Sequence, residues 1–223
     1  MQTSLTHTER MQRFTDAGLY LVTSQTLSAG RSTLEIIRMV LDAGVKLIQL
    51  REKEMSIREL TQLAESAREL TAEHAALLLI NDRIDVALAV EADGVHLGQD
   101  DLPLARARRI APELIIGAST HSIAEARRAQ ADGASYINIG PLFPTNTKEV
   151  ATPPLGFEGL RSIAEVTQVP FTVMGGIKPE HIPELTANGA RTIAVVTAVT
   201  AAPDPTAAAV DLLGIIRRQV IIQ

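Results

Sequence analysis

The sequence predicts an α/β chain folded as a single (β/α)8 TIM barrel, and three observations carry that expectation. Short apolar runs alternate with longer amphipathic stretches along the whole chain, the pattern of repeated strand and helix units around a parallel sheet. Helix-start signals recur between the runs, and a small tripeptide ending in glycine recurs where a helix should hand over to a strand. A length of 223 residues suits one large core, and roughly eight units favour closure over the alternative, an open doubly wound sheet.

In chain order, the runs read as buried strands are Leu19–Thr23, Leu47–Leu50, Leu77–Ile80, Gly94–Leu97, Leu114–Gly117, Tyr136–Ile139, Phe171–Met174 and Thr192–Val196. Ser32 with Glu35, Ser56 with Glu59 and Ser122 with Glu125 have capping-box spacing, in which hydroxyl and carboxylate satisfy orphan amides reciprocally. Asp42-Ala-Gly44, Ala92-Asp-Gly94, Ala131-Asp-Gly133 and Ala187-Asn-Gly189 are the hand-over tripeptides, each with glycine for a left-handed cap. Residues 1–13 are polar throughout and are expected to be a flexible segment, leaving 14–223 as the barrel domain. The apolar end, Ile215-Ile216 and Val220-Ile221-Ile222, suits either the barrel floor or a contact between subunits of a homo-oligomer.

Composition narrows the function. A net charge of -5 and an aromatic content of 3% argue against nucleic acid as a partner, since neither a basic face nor stacking rings are in supply. Cysteine is absent, which removes thiolate chemistry and disulfides and fits a cytoplasmic location. No apolar run is long enough to span a bilayer. Small molecules remain as the expected partners.

A closed barrel of this kind places its chemistry at the carboxyl ends of the strands. After the second run comes Gln49-Leu-Arg51-Glu-Lys53, where extended alternation sends Gln49, Arg51 and Lys53 to one side and Leu50 and Glu52 to the other. An amide and two cations on one face suit a heteroaromatic ring carrying phosphates. Asn81-Asp82 ends the third run and Asp101 follows the fourth. Carboxylates from adjacent strand ends can share a hard divalent ion, although either could instead cap the helix that follows it. Ser119 is left to bond a ligand because Ser122 serves as the cap, while His121 is either an acid-base group or structural and His96 an interior group. The stretch from Gly140 to Pro154, with Thr145, Asn146, Thr147 and Lys148, reads as a lid over phosphate. Gly175-Gly176 and Val196-Thr197 follow the last two strands, where such barrels form a phosphate site from backbone amides; the glycines also suit a sharp turn alone.

In this order, Gln49-Leu-Arg-Glu-Lys53, Asn81-Asp-Arg83, Ala92-Asp-Gly-Val-His-Leu-Gly-Gln-Asp-Asp101, Gly140-Pro-Leu-Phe-Pro-Thr-Asn-Thr-Lys148 and Gly175-Gly-Ile177 resemble the thiamine phosphate synthase family. The resemblance runs from about Tyr20 to Thr200. It implies that Gln49, Leu50, Arg51, Glu52, Lys53, Asn81, Ser119 and Lys148 hold 4-amino-2-methyl-5-hydroxymethylpyrimidine diphosphate. Asp82 and Asp101 would then hold one Mg2+ per subunit at its diphosphate. It further implies that Thr145, Asn146, Thr147, Gly176, Val196 and Thr197 hold the thiazole phosphate or its carboxylated form. Arg51, Lys53, Lys148 and Ser119 would be the catalytic set. Thr197 departs from the serine usual in that family, keeping the hydroxyl and adding a methyl.

An aminopyrimidine can support positive charge on its methylene, so a dissociative substitution needs charge stabilisation more than a base. The competing readings are a thiazole tautomerase using a histidine such as His121, and a sensor that binds a thiamine precursor without turnover.

Overall fold

Serine and glutamate pairs open the helices where their spacing predicts. Ser32 Oγ and Ser56 Oγ accept the amides of Glu35 and Glu59, whose carboxylates return to the serine amides. Each box satisfies two backbone donors that a helix start leaves orphaned, which fixes where helix follows loop. At Ser122 only half a box forms: its hydroxyl accepts the Glu125 amide, but the Glu125 carboxylate turns to the amide and ring of His121.

The computed structural model describes residues 5–145 and 153–221, except the side chains of 220 and 221. Along the chain run α1 (His7–Thr15), β1 (Leu19–Val22), α2 (Thr33–Asp42), β2 (Leu47–Leu50), α3 (Ile57–Glu73) and β3 (Leu77–Asn81). Next come α4 (Ile84–Ala89), β4 (Gly94–Leu97), α5 (Leu104–Ile110), β5 (Ile115–Thr120), α6 (Ile123–Ala131) and β6 (Tyr136–Ile139). The last are α7 (Gly156–Ala164), β7 (Phe171–Val173), α8 (Ile182–Ala187), β8 (Thr192–Val195), α9 (Thr197–Thr200) and α10 (Pro205–Ile221). All neighbouring strands pair in parallel and β1 pairs β8, so the sheet is a closed barrel in sequence order. The open doubly wound alternative is thereby excluded.

Alternation along each strand sorts the core into two layers. Leu21, Ile48, Leu50, Ile80, Val95, Ile116 and Ile137 pack outward with the helices, while Tyr20, Val22, Leu47, Leu79, Ile115 and Tyr136 form a separate inner cluster. Ile216 of α10 is buried in the outer layer, where Gly18 leaves it room. Val220, Ile221 and Ile222, also expected to cover a floor or subunit contact, lie outside the described side chains.

Two expectations need correction. Residues 7–15 form a helix rather than part of a flexible segment, because a Thr6 and Glu9 capping box starts it and its inner face is anchored. Phe14 enters the barrel from the amino-terminal end, with its ring centroid 4.3 Å from Tyr136 and 6.2 Å from Tyr20. Arg10 pairs with buried Asp93 at 3.5 Å, and Arg68 pairs with the same carboxylate at 2.9 Å. Gly94 is the second correction. Gly44, Gly133 and Gly189 take the left-handed conformation, but at the remaining hand-over the positive φ falls on Glu91, just before the tripeptide. Gly94 instead lies in β4, where a Cβ would run into the backbone of Ile115.

Because Phe14 plugs the barrel, Phe14→Ala should cost about 3–5 kcal/mol. Chemical denaturation would show this as a lowered midpoint with a cooperative transition. A variant as stable as the parent would mean that α1 does not close the floor.

Candidate active site

The floor being filled by Phe14, Tyr20 and Tyr136, the interior opens toward the carboxyl ends of the strands. A cavity of about 560 Å³ lies there, a size suited to a small ligand. Gln49, Arg51 and Lys53 all line it, as alternation at the end of β2 predicts. Leu50 and Glu52 do not. Leu50 is buried in the outer layer, and Glu52 accepts hydrogen bonds from Thr23 Oγ1 (2.8 Å), Thr33 Oγ1 (2.7 Å) and the Gln25 amide (2.9 Å). The side chains of Leu50 and Glu52 therefore point away from this cavity. Thr23 Oγ1, held by Glu52, in turn accepts the Arg51 amide at 2.9 Å, so Glu52 shapes the strand end from behind.

The acidic residues gather as expected. Asp82 follows β3 with φ +62°, a conformation that costs a non-glycine residue energy and is concentrated at functional sites. Lys53 Nζ lies 3.2 Å from Asp82 Oδ2, and the amide of Gly98 donates to Asp101 Oδ2 at 2.7 Å. Burial, and then a hydrogen bond to Asp82, hold the Asp101 carboxyl above its ordinary range. Neither residue caps a helix: Arg83 and Pro103 stand at the cap positions of α4 and α5, without a side-chain cap. Among the described residues no group of three or more His, Cys, Asp or Glu side chains is placed to hold an ion. Two mutually repelling carboxylates fit a hard cation only if ligand phosphate and water complete its shell, which is the usual habit of magnesium.

Asn81 and Ser119 also line the cavity. Ser119 Oγ is 2.9 Å from His96 Nε2, so its hydroxyl already has one protein partner. His121 stands on the wall with its Nδ1 2.8 Å from Glu125. On the opposite side are Thr145, Gly176, Val196 and Thr197. Gly175 and Gly176 have φ of +101° and +61°, and a Cβ on either would strike the loop after β6, at Pro141 and at the Pro144 carbonyl. The glycines thus serve a turn and a close approach at once. Asn146, Thr147 and Lys148, and with them residues 146–152 of the expected lid, lie outside the described residues.

Cavity residues that sequence reasoning missed include Tyr20, Asn138 and Lys178. Asn138 had a legible signal, being the polar position of an otherwise apolar run. Its Oδ1 accepts from Thr172 Oγ1 at 2.8 Å, across to β7. Lys178 is a cation directly after Gly-Gly-Ile, which pattern reading passed over.

A closed parallel barrel whose strand ends converge cations, carboxylates and an amide on one cavity defines a TIM-barrel enzyme acting on a phosphorylated small molecule. The thiamine monophosphate synthase family matches residues 19–199, and the chain belongs to that family. It is 45% identical over 201 residues to the thiamine-phosphate synthase of Moorella thermoacetica, covering 90% of this chain and 96% of that one. With the thiamine-phosphate synthase of Chloroflexus aurantiacus it shares 44% identity, over 90% and 93% of the two chains. A solved thiamine phosphate pyrophosphorylase from Pyrococcus furiosus superposes with a TM-score of 0.85 at 39% identity, covering 94% of this chain and 99% of that one. A 3-hexulose-6-phosphate synthase from Salmonella typhimurium, at 17% identity and a TM-score of 0.69, shares the fold alone.

Since Glu52 holds three partners and faces away from the cavity, Glu52→Gln should lower stability by about 1–3 kcal/mol, the cost of disturbing buried polar pairing. Thermal unfolding beside calorimetric ligand binding would separate the effects. A large loss of affinity without destabilisation would show that the Glu52 carboxylate acts on the ligand directly.

Proposed function

We propose that this barrel joins 4-amino-2-methyl-5-hydroxymethylpyrimidine diphosphate to 4-methyl-5-(2-phosphoethyl)thiazole, or to its carboxylated form. The bond between the pyrimidine methylene carbon and the diphosphate oxygen breaks, and its electron pair leaves with diphosphate. The thiazole nitrogen lone pair then forms the new carbon-nitrogen bond. The observation that carries this reading is the convergence of Gln49, Arg51, Lys53, Asn81, Ser119, Asp82 and Asp101 on one end of a single cavity.

Arg51 and Lys53 balance charge on the departing diphosphate, joined in the same role by Lys148 on the strength of the resemblance. Gln49, Asn81 and Ser119 orient the pyrimidine. Thr145, Gly176, Val196 and Thr197, with Asn146 and Thr147, take the thiazole phosphate. One magnesium ion, held by Asp82 and Asp101, would supply a further counter-charge to diphosphate oxygens. No base is needed, because the attacking nitrogen carries no proton. The reaction belongs with soluble phosphorylated intermediates, and we place it in the cytoplasm. No helix among the described residues is long and apolar enough to cross a membrane.

His121, held by Glu125 on the cavity wall, favours a second reading, tautomer exchange of the thiazole. Diphosphate release measured with each substrate alone and with both separates the two. Release that requires both substrates supports the synthase. Exchange of thiazole tautomers without diphosphate release supports the isomerase, and binding without either reaction supports a sensor.

The metal assignment has its own test. Asp82→Asn and Asp101→Asn should each raise the magnesium concentration needed for half-maximal turnover and weaken Mn2+ binding seen by electron paramagnetic resonance, with small changes in melting temperature. Parental titrations in both variants would remove the two carboxylates from the metal site.

A further inference from the structure

Between the filled floor and the open cavity lies a layer of polar groups, of which Tyr20, Tyr136 and His96 have no part in the reaction as written. Gln49 Nε2 donates to Tyr20 Oη at 2.5 Å, and Tyr20 Oη is 3.0 Å from Tyr136 Oη. Tyr136 Oη is 2.8 Å from His96 Nδ1, and His96 Nε2 is 2.9 Å from Ser119 Oγ. Five residues from β1, β2, β4, β5 and β6 thus form one chain of hydrogen bonds across the barrel, ending at two side chains that line the cavity. Its middle is buried: Tyr20 and Tyr136 are 1% and 0% exposed. Phe14 packs on both rings from below, and Gly117 has no Cβ where the Tyr136 ring lies, so the phenols have little freedom to turn away. Burial also pushes both phenols above their ordinary range, so each keeps its proton.

Such a chain has a direction. A phenol has one proton, and a neutral imidazole has one donor and one acceptor nitrogen. If Gln49 donates to Tyr20, Tyr20 donates to Tyr136, Tyr136 donates to His96 Nδ1, and the proton on His96 Nε2 goes to Ser119 Oγ. The two ends are then fixed: Gln49 keeps its carbonyl oxygen for the cavity as an acceptor, and Ser119 keeps its hydroxyl proton as a donor. Reversing one link reverses all of them and exchanges the two ends.

We propose that Tyr20, Tyr136 and His96 are positioning residues that set this direction, making the Gln49 and Ser119 pair complementary to a 4-aminopyrimidine edge and mismatched to a 4-oxopyrimidine edge. The inference rests on the pyrimidine reading above. An aminopyrimidine offers an amino donor beside a ring-nitrogen acceptor, which pairs with the Gln49 carbonyl and the Ser119 hydroxyl. The oxo analogue offers an acceptor beside an N–H donor and meets a like group at both ends. Sites built around buried hydrogen-bond partners reject such analogues far more strongly than apolar pockets do. No buried side-chain nitrogen or oxygen among the described residues lacks a partner, and flipping one end alone would leave one, so the links keep one common direction.

The test compares the full-length parent with Tyr20→Phe and Tyr136→Phe, using the amino and 4-oxo pyrimidine diphosphates with thiazole phosphate. Cutting the chain lets each end reorient independently. Discrimination between the two pyrimidines should fall about tenfold or more, and the KM for the aminopyrimidine should rise, with the thiazole KM nearly unchanged. In the parent, 15N NMR should show His96 protonated on Nε2 with Nδ1 as acceptor, and Tyr136→Phe should mix the tautomers. Unchanged discrimination in both folded variants overturns the proposal, as does a parent His96 protonated on Nδ1 or on both nitrogens. Should either variant fail to fold, the parent tautomer still decides the direction of the chain. A parent that turns over neither pyrimidine refutes the substrate reading instead, and the tautomer measurement still tests the chain.

Discussion

Everything at the top of this molecule depends on closure of the sheet between β1 and β8. Closing eight parallel strands leaves no edge and sends every second side chain into a space of fixed width. That space has to be filled from one end if it is to be a site at the other. Phe14, Tyr20 and Tyr136 fill it, and α1 supplies the first of them from outside the repeating pattern. The cavity is what remains above the plug, so its depth is set by packing rather than by the residues that line its mouth.

Charge is handled differently at the two ends. At the floor Asp93 is 2% exposed and is held by Arg10, Arg68 and the Leu78 amide, so a buried carboxylate has its partners supplied by the chain. At the cavity Asp82 and Asp101 lie against each other, with Lys53, half exposed, 3.2 Å from Asp82. An ion pair that exposed contributes little to stability. The same elements that make the floor rigid are left partly unpaid at the top, where a ligand phosphate or cation can complete them.

How much of this the sequence disclosed follows from the range of each interaction. The strands and the first two capping boxes are local, written within a few residues, and they were legible to within a residue at each end except in β5, which runs on to Thr120 rather than stopping at Gly117. The alternation that sent Gln49, Arg51 and Lys53 inward was equally local, and it pointed the side chains of Leu50 and Glu52 outward, where the structure has them. The helix over 7–15 was missed because most of its residues are polar, and what orders it is a contact between Phe14 and Tyr136, far apart in the chain. The half-formed box at Ser122 depends on His121 competing for Glu125, a choice that spacing alone does not reveal. The polar chain from Gln49 to Ser119 was out of reach for the same reason, since each of its links joins different strands.

The two halves of the cavity therefore differ in what holds them. Gln49 and Ser119 rest on buried rings and hydroxyls continuous with the floor, whereas Gly176 lies in the loop after β7, fitted against the Pro144 carbonyl, and Val196 and Thr197 lie at the start of α9. A buried hydrogen-bonded layer transmits displacement poorly unless it breaks, because each group is held by packing on several sides. Loops adjust at lower cost, since fewer apolar contacts oppose their movement. This division suits a reaction in which one ring must be recognised by the pattern of its hydrogen-bonding edge and the other needs mainly its phosphate held. In the proposed assignment the methyl that Thr197 adds falls on the thiazole side, at the start of α9, apart from the layer proposed to read the pyrimidine.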